Sequence, residues 1–71
     1  MELPEALRRF RKEFKVTQKA AASVCGVTER VYQSYEYGKV TPSISGLIAL
    51  ALHFGTSLDY LCGLSDDPAR K

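Results

Sequence analysis

The sequence predicts a small all-α domain, and three observations support this expectation. The chain has 71 residues, enough for one domain only, since either half alone would bury too little apolar surface to fold. Apolar residues recur at intervals of three and four, the period of helices, and no stretch alternates as a half-buried strand would. Capping residues and glycines divide this pattern into five short segments. We therefore expect five helices around one compact core.

The five predicted helices begin at recognisable residues. The first starts near Leu3, with Pro4 in the first turn, where its missing N–H costs nothing. Residues whose side-chain oxygen can cap free N–H groups precede the other four helices, namely Thr17, Thr28, Ser43 and Ser57. Glycines follow the last four, the second helix ending near Val24 and the third at Glu36 or Tyr37. We expect a domain over residues 1–63 and a polar, flexible tail over residues 64–71.

Composition excludes several classes of protein. Cys25 and Cys62 have no CxxC or Cys/His spacing, so we expect buried, inert thiols and neither a disulfide scaffold nor a metal site. The single histidine, His53, has no catalytic or ligating partner nearby in sequence, and no glycine-rich phosphate loop is present. We therefore expect no enzyme, no cofactor and no small-molecule ligand. No apolar run approaches the length of a membrane span and the N-terminus is charged, which favours the cytoplasm.

Basic residues are concentrated in the N-terminal half. Within a net charge of +2, residues 1–40 carry eight lysines and arginines against five acids, and residues 41–71 carry two against three. A positive half is typical of a surface that faces phosphates. A merely solvated surface would look the same, so charge alone leaves both interpretations open.

The most informative spacing lies within residues 17–36. Two short helices are separated by a tight turn that contains Gly26, and the small Ala22 precedes it by four residues, as a close helix crossing requires. Three apolar or aromatic residues form the inward face of the second of these helices: Val27, Tyr32 and Tyr35. Its outward face carries side chains of the kinds that read base edges in DNA: Glu29, Arg30, Gln33 and Ser34.

These residues resemble the helix-turn-helix of the Cro and phage-repressor family, also called the xenobiotic-response-element type. The resemblance rests on an ordered set of short motifs: Thr17-Gln18, Ala22, Gly26-Val27-Thr28, Tyr35-Glu36, Gly38-Lys39 and Pro42-Ser43. The stretch from Phe54 to Leu61 resembles the last helix of that family, so the likeness covers about residues 3–63. It implies a compact five-helix DNA-binding domain with the helix-turn-helix at its second and third helices.

The resemblance also implies roles for individual residues. The recognition helix, about residues 28–37, would enter the major groove of double-stranded DNA, and the chain would be a transcriptional regulator, most simply a repressor. The implied base-reading residues are Gln18, Glu29, Arg30, Gln33 and Ser34. The implied phosphate-binding residues are Thr17, Lys19, Tyr37, Lys39 and Thr41. Arg11 and Glu36 match a pair that joins the first and third helices in many relatives.

Some of these interpretations have structural competitors. Gln33 and Ser34 would also suit a solvated helix face, and Glu29 would also suit the first turn of a helix, where it favours the helix dipole. Ala21 and Tyr32 depart from the family's usual leucine and isoleucine or valine, and we hypothesise that the tyrosine ring fills the volume that Ala21 leaves.

Protein partners form a second hypothesis. Leu52 lies off the predicted core stripe, where relatives usually carry a charge. A homodimer with contacts at Leu52, Thr56 and Tyr60 would place two recognition helices on successive turns of the groove. The alternative is a protein-interaction module or antitoxin-type partner on the same fold.

Overall fold

The computed structural model describes residues 1–69 and contains five α-helices in that range. Their bounds are α1 Leu3–Phe14, α2 Gln18–Cys25, α3 Glu29–Glu36, α4 Ile44–Phe54 and α5 Leu58–Cys62. No strand occurs in the described part of the chain. The all-α, five-helix expectation is thus confirmed, with α2 extending one residue beyond Val24. None of the helices within residues 1–69 is long and apolar enough to cross a bilayer.

Side-chain caps begin four of the helices, as the sequence predicts. The hydroxyl of each cap accepts a hydrogen bond from the N–H group three residues later, at Thr17, Thr28, Ser43 and Ser57. The first helix differs, because Glu2 precedes it without a side-chain cap. Its far end is closed by Lys15, which adopts the left-handed conformation (φ 56°) and donates its N–H to the carbonyl of Arg11. Local chemistry therefore sets most helix starts.

Aromatic and aliphatic side chains from all five helices share one core. The ring of Phe10 is fully buried and lies between Phe14 and Phe54, with ring centroids 5.2 and 5.3 Å away. Tyr32 and Tyr35 of α3 are also buried, and Val27 packs against the same cluster, which confirms the predicted inward face. The second and third helices are thus anchored by one face each, which leaves the other face of α3 toward solvent.

Ala21 and Tyr32 both have no exposed surface and belong to the same core cluster. A larger side chain at position 21 has no free volume to enter if the tyrosine ring already fills it. We expect Ala21→Leu to lower the free energy of unfolding by about 1–3 kcal/mol, measured by urea denaturation followed by circular dichroism. Ala20→Leu, at an exposed neighbouring position, is the control. A melting temperature raised by Ala21→Leu would refute the volume exchange.

The two cysteines are half-buried free thiols, so the expected burial is only partial. Burial nonetheless raises the pKa of both thiols, which favours their protonated form, and the expected lack of reactivity stays a prediction. The thiol of Cys25 faces the carbonyl of Gly46 on α4, at 3.8 Å. No cluster of three metal-ligating side chains occurs among the described residues.

The segment that follows α5 folds back onto the domain. The carbonyl of Pro68 accepts hydrogen bonds from the Ser57 N–H (2.9 Å) and the Thr56 hydroxyl (3.0 Å). Asp66 pairs with Arg9 of α1 at 2.9 Å. Residues 64–69 are therefore not an extended tail in this structure, although their expected flexibility stays a prediction. Residues 70–71 of the predicted tail lie outside the described residues.

Thr56 and Tyr60, two of the three predicted dimer contacts, are fully buried. The Tyr60 ring lies under the guanidinium of Arg9, 4.1 Å from its centroid, and its hydroxyl donates to Glu13. Burial and the neighbouring carboxylate raise the pKa of Tyr60 to about 12. The expectation that these two side chains form a dimer contact surface is wrong, because both are packed inside the domain. Leu52, in contrast, is 60% exposed.

Candidate nucleic-acid interface

The α2–turn–α3 unit places one edge of α3 on the surface. Gly26 ends α2 in the left-handed conformation (φ 75°, ψ 28°), which glycine adopts without strain. The N–H of Val27 then donates to the carbonyl of Ala22 at 3.1 Å, which closes the C-terminal end of α2. Thr28 starts α3 by accepting from the Val31 N–H at 3.2 Å. The turn and cap together set the direction in which α3 leaves α2.

The four outward residues of α3 differ in how freely they meet solvent. Glu29 and Arg30 are exposed, whereas Gln33 and Ser34 are half-buried. The hydroxyl of Ser34 donates to the carbonyl of Arg30 at 3.2 Å, so its lone pairs remain available but its proton is used within the helix. The structure therefore brings these predicted base-reading residues to one helix edge, with Arg30 the most accessible donor among them.

A hydrogen-bonded chain joins this edge to α1. The Arg11 guanidinium binds the Glu36 carboxylate through two bonds, Nε–Oε2 at 2.5 Å and Nη2–Oε1 at 2.9 Å. Gln18 donates from Nε2 to Glu36 Oε1 at 3.2 Å and accepts, at its own Oε1, from Gln33 Nε2 at 3.1 Å. The predicted Arg11–Glu36 pair is confirmed, and Gln18 contacts two residues of α3 directly.

Glu36 is the buried end of this chain, with 2% of its side chain exposed against 25% for Arg11. Burial alone would raise the pKa of Glu36, but the hydrogen bonds from Arg11 and Gln18 outweigh it and hold the pKa below its ordinary value. The same pairing raises the pKa of Arg11. Glu36 is therefore a fixed, charged acceptor near neutral pH.

Acid should weaken the fold through this carboxylate. Because the folded-state pKa of Glu36 lies below the ordinary 4.5, its stabilisation is present above that value and is lost as pH falls through the folded-state pKa. We expect the stability difference between the wild type and Glu36→Gln to shrink between about pH 6 and about pH 3, measured by urea denaturation at each pH. A difference independent of pH would show that the charge of Glu36 does not contribute.

The predicted phosphate-binding residues lie on the surface at both ends of the α2–turn–α3 unit. Before and at the start of α2 stand Thr17 and Lys19, and after α3 stand Tyr37, Lys39 and Thr41; all five are exposed. The first turn of α2 also offers backbone N–H groups of the kind that bind anions. Thr17 uses one hydroxyl lone pair as the cap, accepting from the Ala20 N–H at 3.0 Å.

Comparison with known proteins places this geometry in a family. Residues 7–61 match the helix-turn-helix family. The chain belongs to that family. As a helix-turn-helix domain it is similar to an uncharacterised HTH-type transcriptional regulator, YobD, of Bacillus subtilis (strain 168), with 36% identity over 94% of this chain and 60% of the relative. It is also similar to the cryptic phage CTXphi transcriptional repressor RstR of Vibrio cholerae, with 33% identity over 89% of this chain and 56% of the relative.

Solved structures show the same likeness. The solution structure of the DNA-binding domain of the P22 c2 repressor superposes with a TM-score of 0.78 at 31% identity, covering 93% of this chain and 90% of that one. A transcriptional regulator from Listeria innocua superposes with a TM-score of 0.77 at 34% identity, covering 87% of this chain and 58% of that one. The helix-turn-helix domain spans about half to three-fifths of the length of the curated relatives.

The sequence did not reveal two features of this helix-turn-helix domain. Val31 is 38% exposed on α3, between the polar residues, and is an apolar side chain of the kind that contacts a thymine methyl group. The available signal was its position outside the helix face that Tyr32 and Tyr35 form, which indicates an exposed side chain. Arg8 of α1 donates to the carbonyl of Glu36 at the end of α3. No sequence pattern links Arg8 to Glu36, because they lie 28 positions apart.

Proposed function

We propose that the chain binds double-stranded DNA sequence-specifically as a transcriptional regulator, acting as a repressor, with α3 in the major groove. The observation that carries the proposal is the two-faced third helix, in which buried Tyr32 and Tyr35 hold one side to the core while Glu29 and Arg30 face solvent. Membership of the helix-turn-helix family, and relatives named as transcriptional regulators and a phage repressor, support it. Such a regulator would work in the cytoplasm and not as an enzyme.

The recognition chemistry follows from the donors and acceptors along α3. Arg30 suits guanine, which offers two acceptors, and Gln33 suits adenine, which offers one donor and one acceptor. Glu29 suits the amino group of cytosine. Lys19 and Lys39 would neutralise phosphates at either end and contribute affinity without reading sequence. Selection of bound sequences from a random duplex library, at stated salt, tests this function directly; recovery of no preferred sequence would refute it.

A homodimer is the assembly we propose for this function. Ile44, Ile48 and Leu52 follow one another by four residues along α4 and are 65, 41 and 60% exposed. Beside the last two lies a groove of about 570 Å³ that Leu58 and Leu64 also line. A row of apolar side chains on the surface favours a protein contact. Two copies joined here would present two recognition helices, which operators with two half-sites about 34 Å apart require.

The same apolar row also supports the second candidate function, a protein-interaction module or an antitoxin-type partner. In that case the row would bind a different protein and α3 need not read DNA. DNA selection distinguishes the two functions, because only the regulator enriches one sequence.

Two substitutions separate base reading from phosphate binding. We expect Gln33→Ala to cost about 1–3 kcal/mol on the selected duplex and to relax preference at one base pair. Lys39→Ala should weaken binding on all duplexes alike and reduce the slope of log K against log salt by about one unit. Both are measured by fluorescence anisotropy across salt concentrations. If the two variants behave identically, the division between base reading by Gln33 and phosphate binding by Lys39 is wrong.

A further inference from the structure

The side chains that connect Gln33 to Glu36 differ in what they can donate. A carboxylate only accepts hydrogen bonds, whereas a glutamine amide has an accepting oxygen at one end and a donating NH₂ group at the other. Gln18 therefore has to turn its NH₂ group toward Glu36, at 3.2 Å, and its oxygen toward Gln33. Because the Gln18 oxygen can only accept a hydrogen bond, its partner must be the NH₂ group of Gln33 and not the Gln33 oxygen; that NH₂ group lies 3.1 Å away.

We propose that Glu36 is a specificity-determining residue of the DNA-binding surface, and that it acts through Gln18 by fixing which atoms of the Gln33 amide face the groove. The inference rests on the proposed function, since it concerns how the recognition helix reads a base. Because Glu36 is 1% exposed, it would not itself contact a base. It is a positioning residue that selects one of the two amide orientations of a residue at the interface.

The orientation left to Gln33 has a definite reading capacity. One N–H is used by Gln18, so the oxygen and the second N–H remain for the groove. This acceptor and donor match the amino group and N7 of adenine. The reversed amide would place its oxygen against the Gln18 oxygen, two acceptors in contact, which leaves both without a donor in a half-buried site. The free protein thus holds Gln33 ready for adenine before DNA arrives.

Glu36 is suited to this role because its side chain and its backbone carbonyl are both held in place. Its carboxylate is held by both bonds from Arg11, its carbonyl accepts from Arg8, and the residue is 1% exposed. Gln18 is the first residue of α2, where the Thr17 cap fixes the backbone. The two hydrogen bonds that connect Glu36 to Gln18 and Gln18 to Gln33, called the relay below, therefore depend on anchored residues of two different helices.

The experiment compares sequence preference among variants of the full chain. Gln18→Met keeps the length of the side chain and removes both of its hydrogen bonds, and Glu36→Gln removes the acceptor-only constraint. Each variant, with Gln33→Ala for reference, is put through selection on a random duplex library, and the selected duplexes are titrated. We expect both variants to relax preference roughly tenfold at the same base pair that Gln33→Ala relaxes. Ser23→Ala, an exposed position on α2, should leave the preference unchanged.

Several outcomes would overturn the proposal. If Gln18→Met binds all duplexes more weakly but keeps the wild-type sequence preference, Gln18 serves only as a contact to the DNA backbone. Retained preference in a folded Glu36→Gln, with preference lost in Gln18→Met, would remove Glu36 from the relay.

A measurement without DNA keeps the inference separate from the proposed function. In wild-type protein, nuclear Overhauser contacts should place the Gln18 NH₂ protons next to the Glu36 side chain and the Gln33 NH₂ protons next to Gln18. The opposite orientation of either amide would overturn the relay even if Glu36→Gln fails to fold. A wild type that enriches no sequence would refute the proposed function while these contacts still decide the relay.

Discussion

Arg11→Met is expected to lower the free energy of unfolding by about 3 kcal/mol, a change that removes a large share of the stability of so small a domain. Methionine retains the apolar stem of arginine but leaves the Glu36 carboxylate, 2% exposed, without its cation. Gln18 would still donate to Glu36, and water could approach over the 25% of Arg11 that is exposed, so we expect the lower end of the range for buried pairs.

Urea denaturation followed by circular dichroism measures this loss. Lys12→Met, at the exposed neighbouring position on α1, changes charge and side chain in the same way and should cost less than about 0.5 kcal/mol. Adding Glu36→Leu to Arg11→Met should recover part of the stability, because the uncompensated carboxylate is then gone. If Arg11→Met alone is as stable as Lys12→Met, the Arg11–Glu36 pair does not hold α1 to α3.

The helices and the recognition unit could be predicted because their signals are local. Thr28 caps α3 and Gly26 ends α2 through interactions within a few residues, so the sequence contains both partners of each contact. Tyr32 and Tyr35 could be placed inside because their spacing follows the helical period. The Arg11–Glu36 pair spans 25 positions and was accessible only through the family resemblance.

Contacts between distant positions account for what the sequence did not disclose. Tyr60 fits the surface of an isolated α5, but Glu13, 47 positions away, accepts from its hydroxyl and α1 covers its ring. The hydrogen bond from Gln33 to Gln18 also joins distant positions, 15 apart. Glutamine carries no periodic or compositional signal that would pair the two residues. The polar residues 64–69 looked solvated until Thr56 and Ser57 supplied donors for the Pro68 carbonyl.

Leu52→Glu is expected to reduce affinity for a two-half-site operator by about 100-fold, because joined domains gain effective concentration that separate domains lack. Leu52 lies at the C-terminal end of the exposed row on α4 and lines the adjoining groove. A carboxylate there would have to lose its hydration in an apolar contact without a partner, which opposes association. It should not disturb the core, since the side chain is 60% exposed in the single chain.

The comparison that isolates assembly from reading uses two duplexes and one control variant. On a duplex with a single half-site, Leu52→Glu should bind as the wild type does, because α3 and its flanking lysines are untouched. His53→Glu introduces the same charge at the next exposed position and should retain operator affinity. Sedimentation should show a wild-type dimer on the operator and a monomer for Leu52→Glu. Equal losses on both duplexes would place the effect of Leu52 on the fold, and a wild type that remains monomeric on the operator would refute the homodimer.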